Sequence, residues 1–341
     1  MQGDLKRDDL NYAVVANASS IMALSLIRSL GRSKVRVVAV FCRKRAARLG
    51  FHTVRHSKFI WEKHDFEENN YETNLLSSLV EIGLSFTKKA VLFPVTDHDM
   101  LIVSANRTTL GQYFHIFMPT HKMVETILHK ELFYEFASLH GLPIPKTFMP
   151  TEVHDIERIS ADIKYPCIIK PTWRTAEWIK AYGNQKVLIA ESADRLKDLF
   201  YKTFKIFNKL TIQEIVDGTE KNILCSFAYF DAHSKPLAMF MCRKIRQYPP
   251  FFGDTAIAES IYNEKIASLT MEICRKLELV GYASIEFKKD TRSDSYKIME
   301  ITIGRINRQA GLADSLGDKY PADLVQLPAG SGGPWKKRIP A

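Results

Sequence analysis

The chain has 341 residues, of which 46% are apolar and 25% charged, with a net charge of +10. That is enough for two or three packed units with ordinary globular composition. Apolar runs such as Val35–Phe41 fall far short of the ~20 residues a membrane helix needs, which excludes a helical membrane span.

The opening segment, Met1 to Asp9, is polar and carries no secretory apolar core. Five singly scattered cysteines lack metal-type spacing and read as reduced thiols of a cytoplasmic protein. The positive charge admits two readings, a nucleic-acid surface or a site for a polyanionic small ligand. Basic clusters occur at Arg43-Lys44-Arg45, Arg243-Lys244-Ile245-Arg246 and Lys336-Lys337-Arg338. None is interleaved with aromatics for base stacking, so the charge favours an anionic ligand without choosing it.

In chain order, Asn11 to Ala16 reads as a short apolar strand, followed by a helix over Ser19 to Leu30 that Gly31 closes as its C′ residue. Val35 to Phe41 suits a buried parallel strand. Tyr71 to Phe86 has helical spacing, Lys89 to Pro94 is a second buried strand, and Phe114 to Met118 a further one. This strand–helix alternation predicts an α/β, Rossmann-like parallel sheet over residues 1–121. The first turn, Asn17-Ala18-Ser19-Ser20, lacks Gly-x-Gly-x-x-Gly, so the sheet carries no dinucleotide fingerprint.

From about residue 121 the texture changes. One helix is expected from Lys122 to His140, ending at Gly141-Leu142-Pro143. Strands follow at 167–170, 187–191, 210–216, 222–230 and 237–243, with helices over 194–204 and 264–277. A closing hairpin, 282–288 with 296–302, turns at 290–293. This is an α+β pattern of antiparallel pairs. Residues 327–341 read as a flexible basic tail.

Four segments suggest chemistry, and each has a plainer reading. Glu286 and Glu300 lie on the two hairpin strands with apolar neighbours. Strand alternation puts them on one face, where they would repel unless a cation such as magnesium lay between them. Ordinary solvent-facing acids fit the spacing as well. Lys170, at the end of a buried strand and followed by Pro171, is held where it could meet a phosphate; a lysine reaching solvent also fits. Gln213-Glu214-Ile215-Val216 runs into a turn whose backbone could read an adenine edge, with Glu220 placed to accept from ribose hydroxyls. That stretch is equally a plain strand and turn. Arg243, Lys244 and Arg246 ahead of Pro249-Pro250 would suit a triphosphate or acyl phosphate, or form a solvated patch.

In their order, these segments resemble the ATP-grasp superfamily over about residues 120–312. His129-Lys130-Glu131-Leu132-Phe133 is similar to the entry helix whose lysine contacts ATP phosphate, and Ile168-Ile169-Lys170-Pro171 to the second ATP lysine. Residues Gln213 to Val216 resemble the adenine hinge and Glu220 the ribose acid. Glu286 and Glu300 fall where the family keeps its magnesium carboxylates. The N-terminal stretch resembles the α/β domain of carboxylate–amine ligase-like members, and so does the run from Arg243 to Pro250.

The resemblance implies a domain of two lobes, 122–212 and 213–326, and an ATP- and magnesium-dependent ligase, with manganese as an alternative ion. Such an enzyme activates a carboxylate as an acyl phosphate and joins it to an amine. Arg243, Lys244 or Arg246 would offset charge on the transferred phosphoryl group. The implied partners are small-molecule carboxylate and amine substrates, with no nucleic acid and no membrane; homo-oligomerisation stays open. Thr302 stands where the family keeps a metal-binding asparagine, so either Arg305 and Asn307 supply the missing contacts or a second metal is held more weakly. The loop Thr172 to Lys180 lacks the usual glycines. Thr302 and the short C-terminus also suit a catalytically degenerate ATP-binding regulatory or scaffold protein.

Overall fold

A computed structural model describes residues 11–43, 51–172, 175–183, 185–250 and 253–307. The N-terminal segment before residue 11, Trp173 and Arg174 of the loop and the tail 327–341 lie outside the described residues.

Five parallel strands form the first sheet: β1 (Tyr12–Ala16), β2 (Arg36–Cys42), β3 (Ile60–Phe66), β4 (Ala90–Pro94) and β5 (Phe114–His115), in the order β3-β2-β1-β4-β5. Strands β1, β2 and β4 are almost wholly buried, which explains their continuous apolar runs. Sequence reasoning passed over β3 because four consecutive polar residues, Glu62 to Asp65, hide its period, although exposure alternates along it as suits an edge strand with one face in water. The strand order reverses between β1 and β4, at a crevice where α/β sheets commonly present ligand-binding loops.

Gly31 does not close its helix. The helix runs Ile21–Arg32 with Ser33 at its C-cap, and Ser20 accepts from the Ala23 N–H at its start. A Cβ on Gly31 would stand 2.4 Å from that of Phe59, so the glycine is there for close packing.

The expected helix Lys122 to His140 is two helices, His121–Leu128 and Lys130–Leu139, separated at His129, whose ψ of 110° is extended. No glycine or proline marks this break in the sequence. It makes Lys130 the first residue of the second helix.

A four-stranded antiparallel sheet, β6-β9-β7-β8, follows: β6 (Thr147–Phe148), β7 (Cys167–Pro171), β8 (Leu188–Ala190) and β9 (Leu210–Glu214). With the helices Asp155–Asp162, Ala176–Tyr182 and Ala193–Phe204 it encloses a core of its own around Ile159, Ile169, Trp178 and Phe200. The last sheet, β12-β11-β10-β13-β14, is also antiparallel: β10 (Ile223–Phe230), β11 (Pro236–Tyr248), β12 (Asp254–Ser260), β13 (Gly281–Asp290) and β14 (Ser295–Ile303). The helix Glu264–Lys276, capped by Asn263, covers one face of it.

Residue 121 begins a helix, yet packing is continuous across it. Val14, Leu92 and Met100 share one buried cluster with Val124, Ile127, Ile285 and Phe287. Gly281 sits at this junction with a φ of +83°, and a Cβ there would lie 2.0 Å from the Phe117 carbonyl oxygen. Gly281→Ala is therefore expected to destabilise the fold by about 3 kcal/mol, combining backbone strain with a steric clash. Urea unfolding would read the loss as a lower midpoint. Among the described residues no helix is long and apolar enough to cross a membrane.

Candidate active site

One cavity of about 670 Å³ lies where the four-stranded sheet faces the last sheet. Lys130, Lys170, Gln213, Glu214, Ile215 and Val216 line it from one side, and Lys244, Glu286, Glu300, Arg305 and Asn307 from the other. Although far apart in sequence, these groups meet because β7, β9, β13 and β14 all end or pass beside the same cleft.

The carboxylates are cross-strand partners. Glu286 on β13 pairs directly with Glu300 on β14, with a register shift beginning just after Glu286. Direct opposition on an antiparallel pair puts both side chains on one face. Glu300 remains accessible from the cavity, and its pKa is raised, first by loss of water within the cleft and then by the negative charge of Glu286. Such a pair calls for a cation between its members.

Among the described residues, no group of three or more His, Cys, Asp or Glu side chains could hold a metal alone. Two carboxylates completed by phosphate oxygens and water are nevertheless what magnesium commonly accepts. The donor set therefore fits magnesium carried with a nucleotide.

Lys170 owes its position to strand register. Ile168 pairs with Gln213 and Lys170 with Thr211, so Lys170 and Gln213 are diagonal neighbours on one face. Lys170 Nζ donates to Gln213 Oε1 at 2.9 Å. Gln213 Nε2 in turn donates to Tyr134 Oη at 2.9 Å and Thr147 Oγ1 at 2.8 Å. The Gln213 side chain thus serves as the anchor of the lysine. Burial, reinforced by the like charge of Lys130, brings the Lys170 pKa down to about 8. Lys130 is lowered too, by partial loss of water, with Glu300 working the other way.

The segment after β9 forms the rim. Ile215 and Val216 join Ile168 and Met299 as apolar walls of the cavity. Arg292 Nη2 donates to the Ile215 carbonyl at 2.7 Å and fixes that turn. The Glu214 carboxylate accepts from the Lys146 N–H at 2.9 Å.

The basic run on β11 corrects the sequence reading. β11 extends through it to Tyr248, and register shifts flank Arg246. Alternation therefore separates the three cations. Lys244 is 3% exposed and lines the cavity, whereas Arg243 and Arg246 are exposed and do not. Arg243 Nε donates to Glu259 at 2.7 Å on the outer surface. Glu220 also lies off the cavity wall, where its carboxylate accepts from the Gln247 N–H at 3.2 Å.

Lys244 Nζ stands 2.6 Å from Glu286 Oε2. Arg305 pairs with Asp97, which begins the helix after β4, so the first sheet also borders the site. Asn307 Nδ2 donates to Ser284 Oγ at 2.7 Å, and its Oδ1 accepts from Tyr282 Oη at 3.2 Å.

Two lining lysines escaped the sequence reading. Lys288 follows Glu286 by two on β13, a parity that could have revealed it. Lys186 precedes β8 and had no local signal.

No family model matches the chain. It is 24% identical over 226 residues to a D-aspartate ligase of Enterococcus faecium (strain Aus0004), covering 64% of this chain and 53% of that one. The chain thus spans about half the length of this curated relative. Among solved structures it is similar to a Campylobacter jejuni biotin carboxylase in complex with βγ-ATP, at a TM-score of 0.71 and 12% identity over 97% of this chain and 74% of the other. It is similar too to a Bacillus licheniformis L-amino acid ligase, at a TM-score of 0.65 and 13% identity over 93% and 73%.

Proposed function

We propose that this chain, which has the ATP-grasp fold, is an ATP- and magnesium-dependent ligase that activates a carboxylate as an acyl phosphate and joins it to an amine, releasing ADP and phosphate. The observation that carries this reading is the convergence on one cavity of the Glu286–Glu300 pair, Lys130 and Lys170, and the apolar rim at Ile215 and Val216.

In this reading ATP lies between lobes 122–212 and 213–326. The adenine ring rests against Ile168, Ile215, Val216 and Met299, close to the backbone of Glu214 to Val216. Lys130 and Lys170 bind the phosphates, and the network Tyr134–Gln213–Thr147 keeps Lys170 aimed. Magnesium held by Glu286 and Glu300 supplies charge neutralisation at the phosphate oxygens.

The substrate carboxylate attacks the γ-phosphorus in line and ADP leaves. The amine then displaces phosphate from the acyl carbon. Lys244 and Arg305 furnish the positive field for charge that builds up on the transferred group, in place of Arg243 and Arg246. Enclosure by the walls keeps water from the acyl phosphate. The two relatives named as amino-acid ligases support an amino acid as one of the substrates.

The test is ADP release with ATP, magnesium and a matrix of amino acids and other carboxylates and amines, followed by mass spectrometry of the products. Release that needs both an acid and an amine, with a new amide in the products, is expected. Thr302 supports a second reading, a nucleotide-binding protein without turnover. Tight ATP binding with no ADP formed across the matrix would favour that one.

Gln213→Leu is expected to weaken ATP binding about tenfold by freeing Lys170, in keeping with the loss of a hydrogen bond to a charged group. Calorimetric titration of the variant measures this.

A further inference from the structure

The Glu286 carboxylate already has a cation. Lys244 Nζ is 2.6 Å from Oε2, and the lysine side chain is only 4% exposed against 20% for Glu286. The Lys244 side chain lies at the cavity wall with almost none of its surface exposed. Cys225 Sγ lies 3.8 Å from the same oxygen, crowding it further.

Other oxygen donors are scarce beside it. Asn307 spends its carboxamide on Tyr282 and Ser284. Thr302, which pairs with Ser284 across the strands, is 7% exposed and offers one neutral hydroxyl. Magnesium demands near-octahedral oxygen coordination, and among the described residues the anionic oxygen that a second ion would need at this end, Glu286 Oε2, is already paired with Lys244. Such an ion would also lie against a fixed positive charge.

We propose that the site takes one divalent ion per bound nucleotide, with the Lys244 ammonium standing where a second ion would otherwise sit. This rests on the ATP reading above. Glu300 and Glu286 would hold that single ion. Lys244 is then a positioning residue: it holds Glu286 in place and brings a charge that no chelator can remove.

Equilibrium dialysis of the full chain against Mn²⁺ with the βγ-imido analogue of ATP gives the number of ions bound per bound nucleotide. The wild type is expected to bind one. Lys244→Met, which keeps the length and removes the charge, is expected to bind two, and Lys244→Arg one. Adding Thr302→Asn to Lys244→Met should tighten the second ion at least tenfold. Circular dichroism and retained nucleotide binding show that the variants are folded.

Two ions in the wild type overturn the proposal. A count that stays at one in a folded Lys244→Met also overturns it. Both results leave the ATP reading intact, since nucleotide is bound in each. Failure of the wild type to bind the nucleotide at all defeats that reading and the proposal together.

Discussion

Glu300→Gln is expected to lower the rate of ADP release by about 10²- to 10³-fold, the loss typical when one preorganised electrostatic group is removed from a transition state. The replacement keeps size and shape and removes one negative charge. Glu286 cannot take over alone, because one of its oxygens is already engaged by Lys244. ATP binding should change much less, since the lysines and the apolar rim are untouched. The loss would thus fall on kcat more than on KM for ATP, as initial rates at saturating and limiting ATP would reveal.

The same carboxylate sets an acid limb. Its pKa is raised by the dry cleft and by Glu286, and only the ionised form holds a metal. Activity should therefore fall with decreasing pH earlier than an ordinary carboxylate would allow. More magnesium should push that limb to lower pH, because the ion competes with the proton. A Glu300→Gln variant within a few-fold of wild-type kcat would remove Glu300 from the chemistry.

Lys170→Met is the second large effect, expected to weaken nucleotide binding roughly 10²-fold, near the lower end of the cost of truncating one member of a desolvated charge pair. Its pH signature has a definite sign. With a pKa of about 8 in the free protein, Lys170 is mostly charged at neutral pH and loses its proton as pH rises past that value. Phosphate binds the charged form and raises its pKa, so binding at pH 9 must take up a proton. ATP affinity should decline above pH 8 by close to tenfold per pH unit, until the pKa of the bound state is reached. The proton uptake appears in calorimetry as a dependence on buffer ionisation enthalpy. In Lys170→Met both signals should vanish. A slope that persists in the variant would assign the titration to another group.

Much of this molecule can be read from local patterns. Buried parallel strands such as Val37–Phe41 declare themselves by unbroken apolar runs, and the hairpin bearing Glu286 and Glu300 by alternation. Edge strands are harder. β3 and β12 each keep one side in water and carry charges that blur any period. The lysines of the site divide in the same way. Lys170 and Lys288 sit within regular strands, where parity tells their face, whereas Lys186 and the cap of Lys130 depend on how distant segments meet.

The cationic run on β11 is the instructive failure. Three neighbouring positive charges look like a single feature in one dimension. A bulge and the two-residue pleat send them to opposite surfaces, and only tertiary structure distinguishes Lys244 from Arg243. Gln213 is similar in kind: its grip on Lys170 follows from a register that no local window contains.

The middle sheet keeps a private interior, while the first and last sheets share theirs. Such a partition makes two cooperative bodies out of one polypeptide. In the proposed reaction, tilting of the smaller body, which carries Lys170 and Gln213, would admit nucleotide and release product at the cost of the contacts across the cleft alone, leaving the carboxylate pair in place on the larger body.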